Sequence, residues 1–301
     1  MTIQKVGVLG CGVMGLGIAR AAAGARFPTT IVKVTPGKLD EVKARFVKGL
    51  EGDVAKERLS QDVANSIIAH LSWSDRVDDI KDCDLVIESI VEDLAMKQRL
   101  FMQLDEAAKL DAIFASNTST LSIMELARRT TRYKRFVGLH FFNPVSVMKL
   151  VEVVQTPHVD AGVVEEAQSF VRLLGKTPEV VLDSPGFMVN RLLTPYLLDA
   201  IRVFESGIAS MESIDQSMKL GCNHPMGPLE LCDYIGLDIV MAMAMNLYSK
   251  LNEERFAPPR LLFHMVAQGR LGKKTKNGFY DYTVNPKQPN VVKLRGGAGA
   301  T

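Results

Sequence analysis

The 301-residue sequence has little of what marks a metalloprotein, a disulfide-rich protein or a membrane protein. Its four cysteines (Cys11, Cys83, Cys222 and Cys232) lie far apart, without the spacing of zinc ligands or of a disulfide framework. No apolar run reaches the ~18 residues that a membrane-spanning helix needs. We therefore expect reduced thiols, no metal site and no membrane partner.

The sequence also has almost no excess of charge of either sign. The 36 Lys and Arg residues nearly balance the 34 Asp and Glu residues, and no basic stripe is interleaved with aromatic residues, so nucleic acid is not a predicted partner. An apolar strand begins near residue 5, and no leader or transit pattern precedes it. We expect a cytoplasmic globular protein of one large or two moderate domains.

Glycines are concentrated directly after that first strand. The strand runs into Gly10-Cys11-Gly12-Val13-Met14-Gly15, and a helical pattern follows, with Gly17 in its first turns. Between a strand and a helix, such glycines permit a tight turn and close backbone approach to a pyrophosphate at the helix N-terminus. The pattern predicts a dinucleotide-binding turn. The alternative is a glycine-rich turn in an unrelated α/β protein.

The second predicted strand, residues 29–33, ends on Lys33. An NAD site usually has an acidic residue there, which accepts hydrogen bonds from the adenosine ribose. A lysine cannot accept those bonds but can pair with a 2′-phosphate, and Thr35 and Lys38 follow closely. The predicted cofactor is therefore NAD(P), with NADP(H) favoured over NAD. In the alternative interpretation, Lys33 points into solvent and NAD binds through other contacts.

Strand and helix patterns alternate over about the first 180 residues. The buried strand that ends at Glu88 carries carboxylates at its C-terminal end, and the polar turn Ser116-Asn117-Thr118-Ser119 follows the next strand. This alternation predicts an α/β fold with a Rossmann-type, doubly wound parallel sheet whose ligands bind at the C-terminal edge.

The pattern changes after the linker at residues 180–186. Strand signals stop, and long apolar helical patterns cover residues 187–205, 211–220 and 235–251. We predict a dinucleotide-binding domain over residues 1–184 and an all-helical substrate and dimerisation domain over residues 185–301, whose apolar faces pair in a homodimer. The Gly- and Ala-rich residues 295–301 are predicted to be frayed.

His140 is the predicted centre of the chemistry. It leaves an apolar strand and precedes Asn143-Pro144, so it lies at a strand end where a cleft can open. Glu152 lies within a second apolar run, where a carboxylate needs a partner. A carboxylate that supports an imidazole makes a proton-transfer pair near neutral pH. The alternative is a structural histidine and an edge-strand glutamate that faces water.

Six motifs, in order over about residues 3–283, resemble those of the L-3-hydroxyacyl-CoA dehydrogenase family, particularly its short-chain 3-hydroxybutyryl-CoA branch. They are Gly10-x-Gly-x-Met-Gly15, Glu88-x-x-x-Glu92, Ser116-Asn-Thr-Ser119, His140-Phe-Phe-Asn143-Pro144, Pro185-Gly186-Phe187-x-x-Asn190-Arg191 and Gly272-x-x-Thr-x-x-Gly278-Phe279-Tyr280. The resemblance implies an oxidoreductase of fatty-acid metabolism. It would interconvert (3S)-3-hydroxyacyl-CoA and 3-oxoacyl-CoA by hydride transfer with a nicotinamide cofactor.

The resemblance also implies roles for single residues. The implied catalytic group is His140, the base and acid, with Glu152, Ser119 and Asn190. Implied cofactor contacts beyond the glycine turn come from Glu92, Lys97, Ser119 and Asn143. Implied contacts to the acyl-CoA substrate come from Ser119, Lys56 and Asn190. Because Asn190 opens the helical domain, the resemblance implies a site that forms where the two domains meet.

The sequence departs from the family pattern at two positions. Lys33 replaces the usual aspartate and follows about two extra residues within 26–28, which bears on the cofactor. Gly52 replaces a lysine that relatives often place near CoA, which bears on substrate affinity.

Two alternatives share the first domain: a dehydrogenase of a free hydroxy acid, such as a gulonate dehydrogenase, and a non-catalytic cofactor-binding protein. Phe141-Phe142 and the Gly278-Phe279-Tyr280 element favour the acyl-CoA branch, and the intact His140/Glu152 pair argues against a non-catalytic protein.

Overall fold

A computed structural model describes residues 3–284 and 287–290. It separates the chain into two compact units, Met1–Phe187 and Met188–Thr301. The division predicted from the sequence, after residue 184, lies in the linker just before this boundary. Residues 295–301, which were predicted to be frayed, lie outside the described residues.

The first unit alternates strands and helices. Its elements are β1 (Val6–Leu9), α1 (Val13–Gly24), β2 (Thr29–Val32), α2 (Leu39–Ala55), α3 (Gln61–Ala69), β3 (Leu71–Ser74), β4 (Leu85–Glu88), α4 (Leu94–Ala107), β5 (Ile113–Ser116), α5 (Ile123–Ala127), β6 (Phe136–Phe141), β7 (Leu150–Gln155), α6 (Ala161–Leu173) and β8 (Thr177–Leu182). The strands form one sheet in the order β3-β2-β1-β4-β5-β6-β7-β8. The predicted Rossmann-type, doubly wound sheet is confirmed.

The central strands are apolar because helices cover both faces of the sheet. All four residues of β1, β2, β4 and β5 are buried, as expected for parallel strands between two helical layers. One apolar cluster joins α1 and α6 to one face, and a second joins α4 and α5 to the other. The sheet edge where the strands end is therefore the open place for a ligand.

One strand pair departs from a purely parallel sheet, because β6 and β7 are antiparallel. The connection between them, residues 142–149, is too short for the crossover that joins parallel strands. The antiparallel register pairs His140 directly with Glu152.

The second unit is helical, as predicted, apart from a short ladder. Its elements are α7 (Val189–Glu205), α8 (Met211–Gly221), α9 (Pro228–Ile235), α10 (Leu237–Leu251), α11 (Arg260–Ala267), β9 (Tyr280–Asp281) and β10 (Gln288–Pro289). The antiparallel β9–β10 pair corrects the prediction of an all-helical domain. The predicted helix over 235–251 is only α10, because Gly236, with φ 106°, separates it from α9.

No single helix in the described part of the chain is long and apolar enough to cross a membrane. Together α9 and α10 meet the criteria of length and composition, but their axes are bent by 96°. Several apolar residues of α10 instead pack in the core of the second unit: Leu237, Val240 and Ala244.

Two buried aspartates organise the second unit. Asp215 accepts hydrogen bonds from the Leu229 backbone N–H, at the start of α9, and from the Tyr280 hydroxyl, at 2.8 and 2.7 Å. Asp233 accepts from the backbone N–H groups of Phe279 and Tyr280, both at 2.9 Å. A Cβ on Gly278 would lie 2.0 Å from Asp233 Oδ1. The Gly278-Phe279-Tyr280 element therefore stabilises the fold of the second unit by binding these two carboxylates.

Asp233 makes the stability of the second unit depend on pH. Burial raises the pKa of Asp233 from 3.8 to about 6, against the hydrogen bonds of Phe279 and Tyr280, which favour the carboxylate. The folded state therefore binds a proton more tightly than the unfolded state between those values, and the free energy of unfolding falls as pH rises through this window. Asp233→Asn should be less stable than the wild type. The loss in free energy of unfolding should be about 1 kcal/mol larger at pH 5 than at pH 7.

Urea denaturation followed by circular dichroism at the two pH values measures this difference. Asp199→Asn, which changes an acid whose side chain is 67 % exposed, is the matched control. A destabilisation by Asp233→Asn that is equal at pH 5 and pH 7 would show that Asp233 stays ionised.

Candidate active site

A cleft of about 670 Å³ lies at the C-terminal edge of the sheet, where the order reverses on either side of β1. Open α/β sheets bind their ligands at such a reversal. Turns after four strands contribute to the lining, which includes Gly10, Cys11, Gly12, Val13, Met14, Lys33, Thr35, Ser89, Glu92, Asn117 and Ser119. The structure thus brings the predicted glycine turn, Lys33, Glu92 and Ser119 to one cleft.

The glycine turn is shaped to receive a phosphate group. Gly10 has φ 115°, and a Cβ there would lie 2.2 Å from the carbonyl oxygen of Ser89. A Cβ on Gly15 would lie 2.1 Å from the Gly10 carbonyl oxygen, whereas one on Gly12 would meet no atom within 4 Å. The first turn of α1 has no acidic residue and no side-chain cap. Its backbone N–H groups therefore suit an anion, and the residues present fit a dinucleotide pyrophosphate.

Lys33 lies in the cleft wall and is only 7 % exposed. Its ammonium group donates to the Thr35 carbonyl oxygen, which folds the side chain back over the turn after β2. The alternative in which Lys33 points into solvent is therefore wrong. Lys38 and Arg45 line the same side of the cleft, and Glu41 is the acidic residue there.

Lys97, for which the family resemblance implies a cofactor contact, is a buried residue of α4, and that contact stays a prediction. Its side chain is 1 % exposed, and its ammonium group lies 2.6 Å from Glu88 Oε1 and 3.3 Å from Glu92 Oε2. The second Glu88 oxygen accepts from the Ser116 hydroxyl at 2.6 Å. Within the described residues, Lys97 does not line the cleft. Instead, it pairs with Glu88 at the end of β4 and holds Glu92.

The carboxylate of Glu92 binds the turn that contains Ser119. One of its oxygens accepts from the Thr118 hydroxyl at 2.5 Å and from the backbone N–H groups of Ser119 and Thr120 at 3.0 and 3.1 Å. Burial acts to raise the pKa of Glu92, but Lys97 and these hydrogen bonds outweigh it, so the pKa lies below its ordinary value. A carboxylate that stays ionised thus fixes the cofactor-facing turn.

His140 and Glu152 form a buried pair at the end of β6. Nδ1 of His140 lies 2.7 Å from Oε2 of Glu152, and the two residues are 6 % and 1 % exposed. Because β7 lies between β6 and β8, the alternative of an edge-strand glutamate that faces water is wrong. The carboxylate favours the tautomer with hydrogen on Nδ1, which leaves Nε2 to take a proton.

Aromatic rings enclose the imidazole. The ring centroids of Phe142 and Phe187 lie 4.5 and 5.6 Å from that of His140. Gly17 permits α1 to approach the loop that follows His140, since a Cβ there would lie 2.9 Å from Val145. Phe142 and Phe187 belong to two of the family motifs, but no local pattern places either ring beside His140.

Three other predicted site residues belong to other segments of the chain. Asn143 is exposed in the loop after β6 and lines a second groove. Lys56 is exposed at the C-terminus of α2. Asn190 lies in the first turn of α7, in the second unit. The roles predicted for these three residues stay predictions.

Two family models cover most of the chain. The model of the NAD-binding domain of 3-hydroxyacyl-CoA dehydrogenase matches residues 5–184, and the model of the C-terminal domain of that enzyme matches residues 186–282. The chain belongs to the 3-hydroxyacyl-CoA dehydrogenase family. The first match contains the whole lining of the cleft, so the predicted dinucleotide site is the NAD-binding site of this family.

Individual members of the family are similar over nearly their full length. The chain is 42 % identical over 279 residues to a 3-hydroxybutyryl-CoA dehydrogenase of Clostridioides difficile, an alignment that covers 93 % of this chain and 99 % of that protein. It is 43 % identical over 291 residues to human mitochondrial hydroxyacyl-coenzyme A dehydrogenase, covering 93 % and 91 %. The crystal structure of (S)-3-hydroxybutyryl-CoA dehydrogenase PaaH1 from Ralstonia eutropha superposes with a TM-score of 0.89 at 40 % identity, covering 93 % and 99 %. The prediction of a nicotinamide-dependent oxidoreductase of this family is confirmed.

The charge of Glu152 should matter more for turnover than for binding. Glu152→Gln keeps a hydrogen-bond acceptor for His140 but removes the charge that supports the imidazolium. We expect kcat to fall by about 10- to 100-fold with little change in KM, because the interaction grows in the transition state. His140→Ala should lose about 100-fold or more. Steady-state kinetics on purified variants measure both.

Glu179→Gln is the matched control for this experiment. Glu179 lies opposite Glu152 on β8, but it is exposed. It should keep the wild-type kcat. A correctly folded Glu152→Gln variant with the wild-type kcat would remove Glu152 from the mechanism.

Proposed function

We propose that this chain interconverts (3S)-3-hydroxyacyl-CoA and 3-oxoacyl-CoA thioesters, with 3-hydroxybutyryl-CoA and acetoacetyl-CoA as the physiological pair. The observation that carries the proposal is the buried His140–Glu152 pair, 2.7 Å between Nδ1 and Oε2, at the sheet edge that holds the cofactor cleft. The relatives named 3-hydroxybutyryl-CoA dehydrogenase support the choice of the short-chain substrate.

Each site residue has its own role in the proposed reaction. A bound nicotinamide cofactor supplies hydride transfer to and from C3 of the substrate. His140 Nε2 takes the proton of the C3 hydroxyl in the oxidation and returns it to the oxygen in the reduction. Glu152 stabilises the imidazolium. Ser119 polarises the oxygen as charge develops, a contribution often of about 3 kcal/mol per donor. The same role for Asn190 stays a prediction.

A second groove in the first unit supports the proposal that the substrate bears phosphate groups. It has a volume of about 1190 Å³ and runs between α1, α2 and the loop after His140, at residues 143–147. One acidic side chain, Asp53, and five cationic ones line it: Arg20, Arg45, Arg58, Lys149 and Lys176. Such a lining favours the nucleotide part of CoA over a small free hydroxy acid, although Gly52 and Lys56 do not contribute to it.

Turnover of acetoacetyl-CoA with reduced cofactor tests this function directly. Acetoacetyl-CoA should be reduced with a kcat/KM at least 100-fold above that for free acetoacetate, because only the thioester carries the phosphates. A higher efficiency on free hydroxy acids such as gulonate would support the alternative dehydrogenase. No turnover of either class by the folded, cofactor-binding protein would support the non-catalytic alternative. A substrate series from C4 to C16 then defines the chain length.

We also propose that the cofactor preferred within the NAD(P) class is NADP(H). The buried Lys33 side chain, with Lys38 and Arg45 on the same side of the cleft, supports this proposal. An ammonium group can pair with a 2′-phosphate, whereas the aspartate usual in this position would repel it.

Lys33→Asp should reverse the cofactor preference. The wild type should use NADPH about 10- to 100-fold more efficiently than NADH. In the variant, kcat/KM for NADPH should fall more than kcat/KM for NADH, because the new carboxylate repels the 2′-phosphate. The ratio of the two kcat/KM values measures this. Lys43→Asp, the same change at an exposed position of α2, is the control. A wild type that prefers NADH, with a ratio unchanged by Lys33→Asp, would contradict the proposal.

A further inference from the structure

Phe141, the residue after His140, has a buried backbone that the strands alone do not satisfy. The β5–β6 ladder ends with the pair Ser116 and Gly138, so β6 continues beyond the end of β5. Phe141 is 2 % exposed, and a buried N–H group without an acceptor is rare because it is costly. Its N–H donates instead to the side-chain oxygen of Asn117, at 2.9 Å.

Asn117 is well placed to hold this peptide because it is itself held from two other directions. Its backbone N–H donates to the Glu88 carbonyl oxygen at 2.9 Å, and its side-chain nitrogen lies 3.2 Å from the Ser89 hydroxyl. Ser89 in turn supplies the carbonyl oxygen against which Gly10 packs. Asn117 therefore connects the glycine turn after β1, the end of β4 and the end of β6.

His140 is thus fixed from both neighbouring strands. Glu152 on β7 holds its ring, and Asn117 after β5 holds the peptide that follows it. Asn117 also lines the cofactor cleft. We propose that Asn117 is a positioning residue, which sets the backbone at His140–Phe141 so that the imidazole keeps its place relative to the cofactor. The inference rests on the proposed function, in which His140 transfers the proton.

Two variants of similar size separate this role from others. Asn117→Asp keeps an oxygen for the Phe141 N–H, and the Ser89 hydroxyl can turn to donate to the second oxygen. Asn117→Leu removes both bonds. We expect Asn117→Leu to lower kcat by about 10- to 100-fold, the scale of loss for a misplaced reacting group, with an unchanged Kd for the cofactor. Asn117→Asp should restore kcat to within about fivefold of the wild type.

Hydrogen exchange of the Phe141 amide, followed by NMR, tests the contact independently of activity. Exchange should be faster in Asn117→Leu than in the wild type and slow again in Asn117→Asp. The imidazole resonances of His140, assigned by their loss in His140→Ala, should shift in the Leu variant alone. Asn65→Leu, at an exposed asparagine of α3, is the control and should change none of these quantities. If Asn117→Leu does not fold, Asn117→Ser, whose hydroxyl is too short to reach Phe141, replaces it.

The outcomes separate failure of the inference from failure of the proposed function. Wild-type kcat in Asn117→Leu would overturn the positioning role. An Asp variant as slow as the Leu variant, with weakened cofactor binding, would overturn it in favour of direct contact between Asn117 and the cofactor. If the wild type does not reduce acetoacetyl-CoA, the proposed function is wrong, while the amide exchange and His140 resonances still decide whether Asn117 positions His140.

Discussion

The hydrogen bond between His140 and Glu152 is the interaction on which the site depends. It exists because the chain turns back after β6 and pairs β7 with it in antiparallel register, which sets the two residues opposite each other. Both side chains are buried, so removing one partner takes a hydrogen bond from the other in a poorly solvated place. The pair therefore links the one antiparallel connection of the sheet to the proton-transfer chemistry of the family.

A second buried network supports the cofactor side of the same edge. Glu88, Lys97 and Ser116 connect the ends of β4 and β5, and Lys97 also holds Glu92 against the Ser119 turn. A buried ion pair adds little net stability over apolar residues, but it specifies one arrangement of the groups that it joins. Lys97 therefore acts on the cofactor side of the sheet edge through Glu92.

The second unit uses its family motif for folding. The Gly278-Phe279-Tyr280 element wraps the Asp233 carboxylate with backbone N–H groups, and the Tyr280 hydroxyl reaches Asp215. A motif that identifies the family therefore need not touch substrate. Pairing of this unit into a homodimer, the cytoplasmic location and the role of Asn190 stay predictions.

Local sequence patterns were enough to predict the sheet, the helical second unit, the glycine turn and the importance of His140 and Glu152. Each of these depends on residues close together in the chain: apolar periodicity, glycines between a strand and a helix, or a polar residue in an apolar run. The buried place of Lys97, the inward course of Lys33 and the bond from Asn117 to Phe141 were decided by the tertiary structure. These contacts depend on strand order, direction and register, which bring distant segments together and which no local pattern encodes.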